Sequence, residues 1–317
     1  MRFGGFVPQG WRMDLQGIDT ADQWPTMVDV AHRLEKAGYD SAWVYDHFHT
    51  VPEASQEPTY ECWTLMAALA PVTETIRLGQ MCTCNSYRPP TYMAKVASSV
   101  DVISGGRLEF AIGAGWYEQE YLAYGYDFPK ASVRIGQLGE AVQIIKSMWT
   151  EEETFFEGEY YTVKGAINQP QTLQDPHPPL WVAGGGEKLT LRVVAEHADY
   201  ANFAGSPETF AHKSKVLEGH CEAVGRDFSE IGRTIHLIGM VDADDAAIER
   251  AAAQFKAPVD RFLGGAMTVA GSADQVAEQL GAYAAEGCDY FIMFFPDAAW
   301  GDSIEAFAEG VIPEMTS

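Results

Sequence analysis

Along the chain, short apolar runs rich in Val, Ile, Phe and Leu alternate with longer segments of helical period. The apolar runs predict strands at 2–7, 41–45, 76–83, 107–112, 180–183, 200–203, about 234–241 and 290–295. The periodic segments predict helices at 22–37, about 61–69, 91–103, 132–149, 187–197, 207–224, 244–255 and 272–286, with a terminal helix near 303–309. In the first of these, Met27, Val28, Ala31 and Leu34 share a face, and Gly38 ends the helix. The alternation amounts to eight βα units, the number that closes a parallel sheet into a barrel with every strand edge paired. A doubly wound open sheet would call for Gly-x-Gly-x-x-Gly after the first strand, where this chain has Pro8-Gln9-Gly10-Trp11. The expected fold is therefore α/β, a (β/α)8 TIM barrel in a single domain over 1–317.

One stretch interrupts the rhythm. Residues 151–179 read as an insertion: a hairpin over 154–163 turning at Gly158, then a Pro-rich surface run. Residues 116–128 read as a long aromatic loop, and a connector holds Gly264-Gly265.

Composition narrows the partners. The chain has 317 residues, of which 47% are hydrophobic, enough for a large core. Lys plus Arg is 21 against 45 Asp plus Glu, a net charge of −24. That balance argues against nucleic acid and anionic membrane as partners. The five cysteines, at 62, 82, 84, 221 and 288, have spacings that suit neither a disulfide framework nor a zinc site, so no metal is expected. No signal peptide and no run of about 18 apolar residues stands out, so the expected location is the cytoplasm.

In a parallel barrel, chemistry belongs at the C-terminal ends of the strands. The second strand ends in Asp46-His47. His47 is the candidate acid–base group, because an imidazole exchanges a proton near neutral pH. Asp46 is expected to orient it or to hold a second polar group. The other histidines, His236 among them, read as structural or solvated. The third strand ends in Met81-Cys82-Thr83-Cys84-Asn85, whose two cysteines share a face as small wall residues. Gly113 and Gly115 after the fourth strand, and Gly184, Gly185 and Gly186 after the fifth, permit close backbone approach. The triple glycine opens a helix and so suits a phosphate, with Lys188 and Arg192 as candidate nearby cations. Trp116 and the tyrosines at 117, 121, 124 and 126 either wall a pocket for a planar ligand or pack as a lid.

The stretches AGYDSAWVYDHF (37–48), IRLGQMCTCNSYRPP (76–90), DVISGGRLEFAIGAGWYEQEYLAYG (101–125), HPPLWVAGGGE (177–187) and EGCDYFIMFFPDA (286–298) resemble the bacterial-luciferase-like superfamily. They look most like its branch of oxidoreductases that use coenzyme F420, a deazaflavin. The resemblance implies a luciferase-like TIM barrel whose cofactor ring lies across the strand ends. It implies that the ring rests on a bulged third strand with a non-prolyl cis peptide at Met81–Cys82. By the same carry-over Asp46 and His47 contact ring or substrate, and Cys84 and Asn85 line the ring. Gly113, Gly115 and Gly184 to Gly186 would hold the ribityl phosphate. Relatives often have Val-Thr-Gly-Asn where this chain has Cys82-Thr83-Cys84-Asn85. The sugar-phosphate dehydrogenases carry a Glu at the position of Trp116, so glucose 6-phosphate is not the expected substrate.

The leading expectation is hydride transfer between F420 and a small organic molecule. The alternatives are an FMN-dependent two-component monooxygenase and a non-catalytic barrel without cofactor. A homodimer is the family's usual assembly.

Overall fold

The computed structural model describes residues 1–316. Its strands in chain order are β1 (Arg2–Phe6), β2 (Ser41–Val44), β3 (Arg77–Gln80), β4 (Thr83–Cys84), β5 (Leu108–Gly113), β6 (Thr154–Glu157), β7 (Thr162–Ala166), β8 (Leu180–Ala183), β9 (Tyr200–Asn202), β10 (Gly232–Val241), β11 (Thr268–Gly271) and β12 (Tyr290–Phe294). Parallel pairings run β1–β2–β3–β5–β8–β9–β10–β12, and β12 pairs back onto β1. That ring is a closed (β/α)8 barrel, as the eight units predict. The short runs close into it because their residues are buried on both faces, and the helices cover the outside.

The N-terminal end of the barrel is plugged. Trp43 and Trp181 meet at 4.9 Å between ring centroids, and Trp181 meets Tyr290 at 5.1 Å. All three are fully buried. Gly79 has no space for a Cβ over the Trp43 ring, so this tryptophan fixes glycine there. Buried Glu109 accepts from the Trp181 indole at 2.8 Å and pairs with Arg77 at 2.5 Å, which satisfies the polar atoms beneath the plug. A ligand therefore has to enter from the opposite end, where the strands end.

Four local expectations need correction. The third strand is not continuous over 76–83: β3 and β4 are separated by the Met81–Cys82 peptide, which is cis as the resemblance implies, and β4 pairs with β5. The aromatic loop contains a helix, Glu118–Ala123. The Gly264 connector leads into β11, which pairs with the outer half of β10; its run Thr-Val-Ala-Gly is too short to show an alternating pattern. The helix after the triple glycine starts at Thr190, since 187–189 form a turn first. The insertion does hold an antiparallel hairpin, β6–β7, although its second strand runs to Ala166.

Candidate active site

The strand ends enclose a cavity of about 430 Å³. His47 follows β2 and stands in its wall. One face of the imidazole stacks on Trp11 at 4.2 Å with 4° between planes, and the edge of Trp116 closes in at 5.8 Å. His47 Nδ1 lies 2.9 Å from Glu120 Oε2. Glu120 comes from the helix Glu118–Ala123 and is fully buried. Its Oε2 also accepts from the Tyr87 hydroxyl at 2.5 Å, while Oε1 accepts the amides of Phe48 and His49 at 2.5 and 2.8 Å. Burial pushes this carboxyl up, but the bonds from His47, Tyr87 and the backbone outweigh it and hold Glu120 below the usual carboxylate range. An anionic partner makes Nδ1 the donor, which leaves Nε2 as the exchangeable nitrogen.

Asp46 does not orient His47. Its carboxylate is held by Arg88 in a two-pronged ion pair, at 2.7 and 2.9 Å, and accepts the Cys84 amide at 2.8 Å. Arg88 also reaches Glu61 at 2.6 Å. Asp46 therefore holds a second polar group, the other role open to it, and clamps the bulged strand. Glu120 takes the orienting role, and neither the run of Tyr and Glu at 116–121 nor its distance along the chain pointed to it.

Met81, Cys82 and Cys84 line the cavity as expected. Burial pushes both thiols up, Cys84 to about 12, so they are neutral wall groups. Asn85 is the exception: it opens a 3-10 turn, which breaks the strand alternation, and its amide donates to Tyr161 of the insertion at 3.3 Å, outside this cavity. Gly113 and Gly115 line the wall, and a Cβ on Gly113 would stand 2.7 Å from Cys82 Sγ. Gly184 and Gly185 also line it. Gly184 spends its own N–H on the Asn202 carbonyl, at 2.8 Å. Gly186 does not reach the cavity; it packs on Thr190, whose hydroxyl would be 2.7 Å from an added Cβ. Trp116 lines the mouth and stacks on Tyr117 at 5.2 Å.

The cations near the glycines are not the expected ones. Arg192 pairs with Glu196 along its own helix. Lys213 instead lies beside Gly185, while bonding Glu187 at 2.6 Å. Arg134 also lines the cavity; it is 8% exposed, sits 3.8 Å over the Phe128 ring, and has a buried Nε with no partner. The lining thus combines Cys82, Cys84 and the glycines with the Thr190 hydroxyl and an arginine that has an unused donor. Those features fit a planar ring carrying a phosphate.

The profile of the family described as luciferase-like monooxygenase matches residues 1–262. An F420-dependent glucose-6-phosphate dehydrogenase from Kineococcus radiotolerans is 30% identical over 69% of this chain, and the match spans 65% of that protein's length. A pyrimidine monooxygenase RutA from an Enterobacter species is 31% identical over 82% of this chain and 73% of its own. A solved F420-dependent secondary alcohol dehydrogenase, in complex with an F420–acetone adduct, superposes with a TM-score of 0.83 at 22% identity. It covers 99% of this chain and 98% of its own, and it establishes the likeness of fold. With the profile matched over most of the barrel, this chain belongs to the luciferase-like monooxygenase family.

Proposed function

We propose that the protein is an oxidoreductase that moves a hydride between coenzyme F420 and a carbon of a small organic substrate, with His47 as the acid–base group. The observation that carries this reading is the His47–Glu120 pair standing beside the Met81–Cys82 bulge. When bound, the deazaflavin supplies the carbon that takes or gives the hydride. Met81, Cys82, Cys84 and Gly113 would seat its ring, and Gly184, Gly185, Thr190 and Arg134 would take its phosphate. His47 Nε2 takes the proton of a substrate hydroxyl during oxidation and returns it during reduction. Glu120 keeps the ring in one tautomer and stabilises the imidazolium, as a buried carboxylate does for a catalytic histidine. Trp116 and Tyr117 at the mouth would keep water from the reacting atoms.

Fluorescence titration with F420 tests the reading, together with turnover of a His47→Ala variant. The variant should bind F420 normally and lose catalysis.

A second reading follows from the RutA relatives: an FMN-dependent monooxygenase fed by a partner reductase. Oxygen uptake with reduced FMN and an organic substrate would favour it. Our reading carries with it a homodimer acting in the cytoplasm, without nucleic acid, and sedimentation of the purified protein checks the assembly. No helix among the described residues is long and apolar enough to cross a membrane.

A further inference from the structure

Beyond His47 the cavity has a second polar wall that the hydride-transfer reading leaves unused. Trp11 follows β1, Tyr45 follows β2, and His236 lies within β10; all three side chains line the cavity. Trp11 Nε1, Tyr45 Oη and His236 Nδ1 are each buried without a hydrogen-bond partner. The Trp11 and Tyr45 rings are 4.3 Å apart, and Phe6 holds Tyr45 at 4.1 Å and His236 at 6.4 Å, so the three belong to one floor. Buried polar groups are mostly paired in native proteins, and these three share one wall, where a single ligand group can serve them together. Burial pushes the Tyr45 phenol up to about 12 and, with the charge of Arg12, brings the His236 imidazole down to about 3. The floor therefore offers an indole N–H, a phenol O–H and a neutral imidazole.

Charge decides what they meet. The Arg12 guanidinium sits 4.6 Å from the Trp11 ring centroid and 5.6 Å from that of Tyr45. It has no carboxylate within salt-bridge distance among the described residues. A cationic group at the floor would meet the Arg12 charge, which the buried Asp14 carboxylate feels without forming a salt bridge, whereas an oxygen would complement the donors.

We infer that Trp11, Tyr45 and His236 form an oxygen-binding subsite, so that the substrate carries a second oxygen function beside the carbon–oxygen group served by His47. The inference rests on the hydride-transfer reading. In the oxidative direction the carbinol C–H leaves as hydride to oxidised F420 and the O–H proton passes to His47 Nε2. The carbinol becomes a carbonyl with two electrons transferred, and the second oxygen stays bound and unreacted. The class is a small diol, hydroxyketone or hydroxy acid. A simple secondary alcohol leaves the floor donors unpaired, and an amino alcohol adds repulsion.

The test compares propan-2-ol, a 1,2-diol, a 2-hydroxy acid and a 1-amino-2-alkanol as substrates with F420. The enzymes are wild type, Tyr45→Phe and His236→Leu, with F420 binding measured separately. The two-oxygen substrates should lead in kcat/KM by on the order of 100-fold in wild type. Tyr45→Phe should raise their KM roughly 3- to 10-fold with F420 affinity unchanged. The same variant should melt close to wild type, because no protein group meets the hydroxyl with hydrogen-bond geometry. Equal use of propan-2-ol and the diol, or a lowered melting point in Tyr45→Phe with no change in KM, would overturn the inference even while F420 binds. Should F420 fail to bind, the underlying reading fails instead. Calorimetric titration of the protein with the diol and hydroxy acid then decides the subsite: binding weakened by Tyr45→Phe supports it, and absence of binding refutes it.

Discussion

His47 Nδ1 is 2.9 Å from Glu120 Oε2, and the two residues are 73 apart in the chain. Four donors converge on that one carboxylate, two of them the amides that follow His47. Glu120 therefore fixes both the imidazole and the backbone that carries it. This makes it a positioning residue, and separable effects follow from changing it and from changing His47.

Removing the imidazole should lower kcat by roughly 10²- to 10⁴-fold, the usual worth of a general acid–base group, and leave cofactor affinity within a few-fold. Glu120→Gln keeps the shape but cannot stabilise an imidazolium. Its kcat should fall less, with KM and cofactor affinity within a few-fold, because the ring is still held. Steady-state kinetics, with binding measured in parallel, checks both. A kcat unmoved in Glu120→Gln would remove the pairing from the mechanism.

Asp46 and Arg88 should behave as scaffold. Both are nearly buried and joined by two bonds, so Arg88→Ala leaves an unpaired carboxylate inside the protein and should cost about 3–5 kcal/mol. Denaturant unfolding reads this directly. The Cys84 amide also bonds Asp46, so the bulged strand and cofactor affinity should suffer with it.

The glycines separate by the space around them. A Cβ at Gly185 would have its nearest neighbours at 3.5 Å, so Gly185→Val should fold normally and weaken cofactor binding by intruding on the cavity. Gly113→Ala would collide with Cys82 Sγ and should cost about 1–3 kcal/mol of stability as well. Thermal melts beside cofactor titrations distinguish the two outcomes.

His236 gives a stability effect with a definite sign. Its folded pKa is brought down to about 3 from 6.5, so the folded state binds fewer protons than the unfolded chain between those values. Stability should then fall as pH drops through that window, by about 1–2 kcal/mol from this residue between pH 7.5 and pH 5. His236→Leu should lack this part of the loss. Urea unfolding at the two pH values measures it.

Much of the barrel was legible because its strands are buried on both faces, and such runs stand out as unbroken apolar stretches. β11 and the helix Glu118–Ala123 were not, since four residues ending in Gly271 and a six-residue helix that buries only Glu120 and Tyr121 carry no clear period. The site was legible where a strand end names it, as with His47, Cys82 and Gly113. The role of Glu120 was hidden because side-chain pairing across 73 residues is set by the closed barrel rather than by neighbours in sequence, whereas Asp46 fills one of the two roles its position offered. Asn85 was placed against the ring by the resemblance alone; here it opens a 3-10 turn and its amide reaches Tyr161 instead. Arg134 and His236 read as ordinary helix and strand residues; only their unpartnered nitrogens mark them.

Titration of the purified protein with F420 and with FMN, followed by fluorescence, tests the account at its centre. Saturable binding of F420, weakened by Gly185→Val and untouched by His47→Ala, is the predicted result. Tight FMN binding with none for F420 would contradict it.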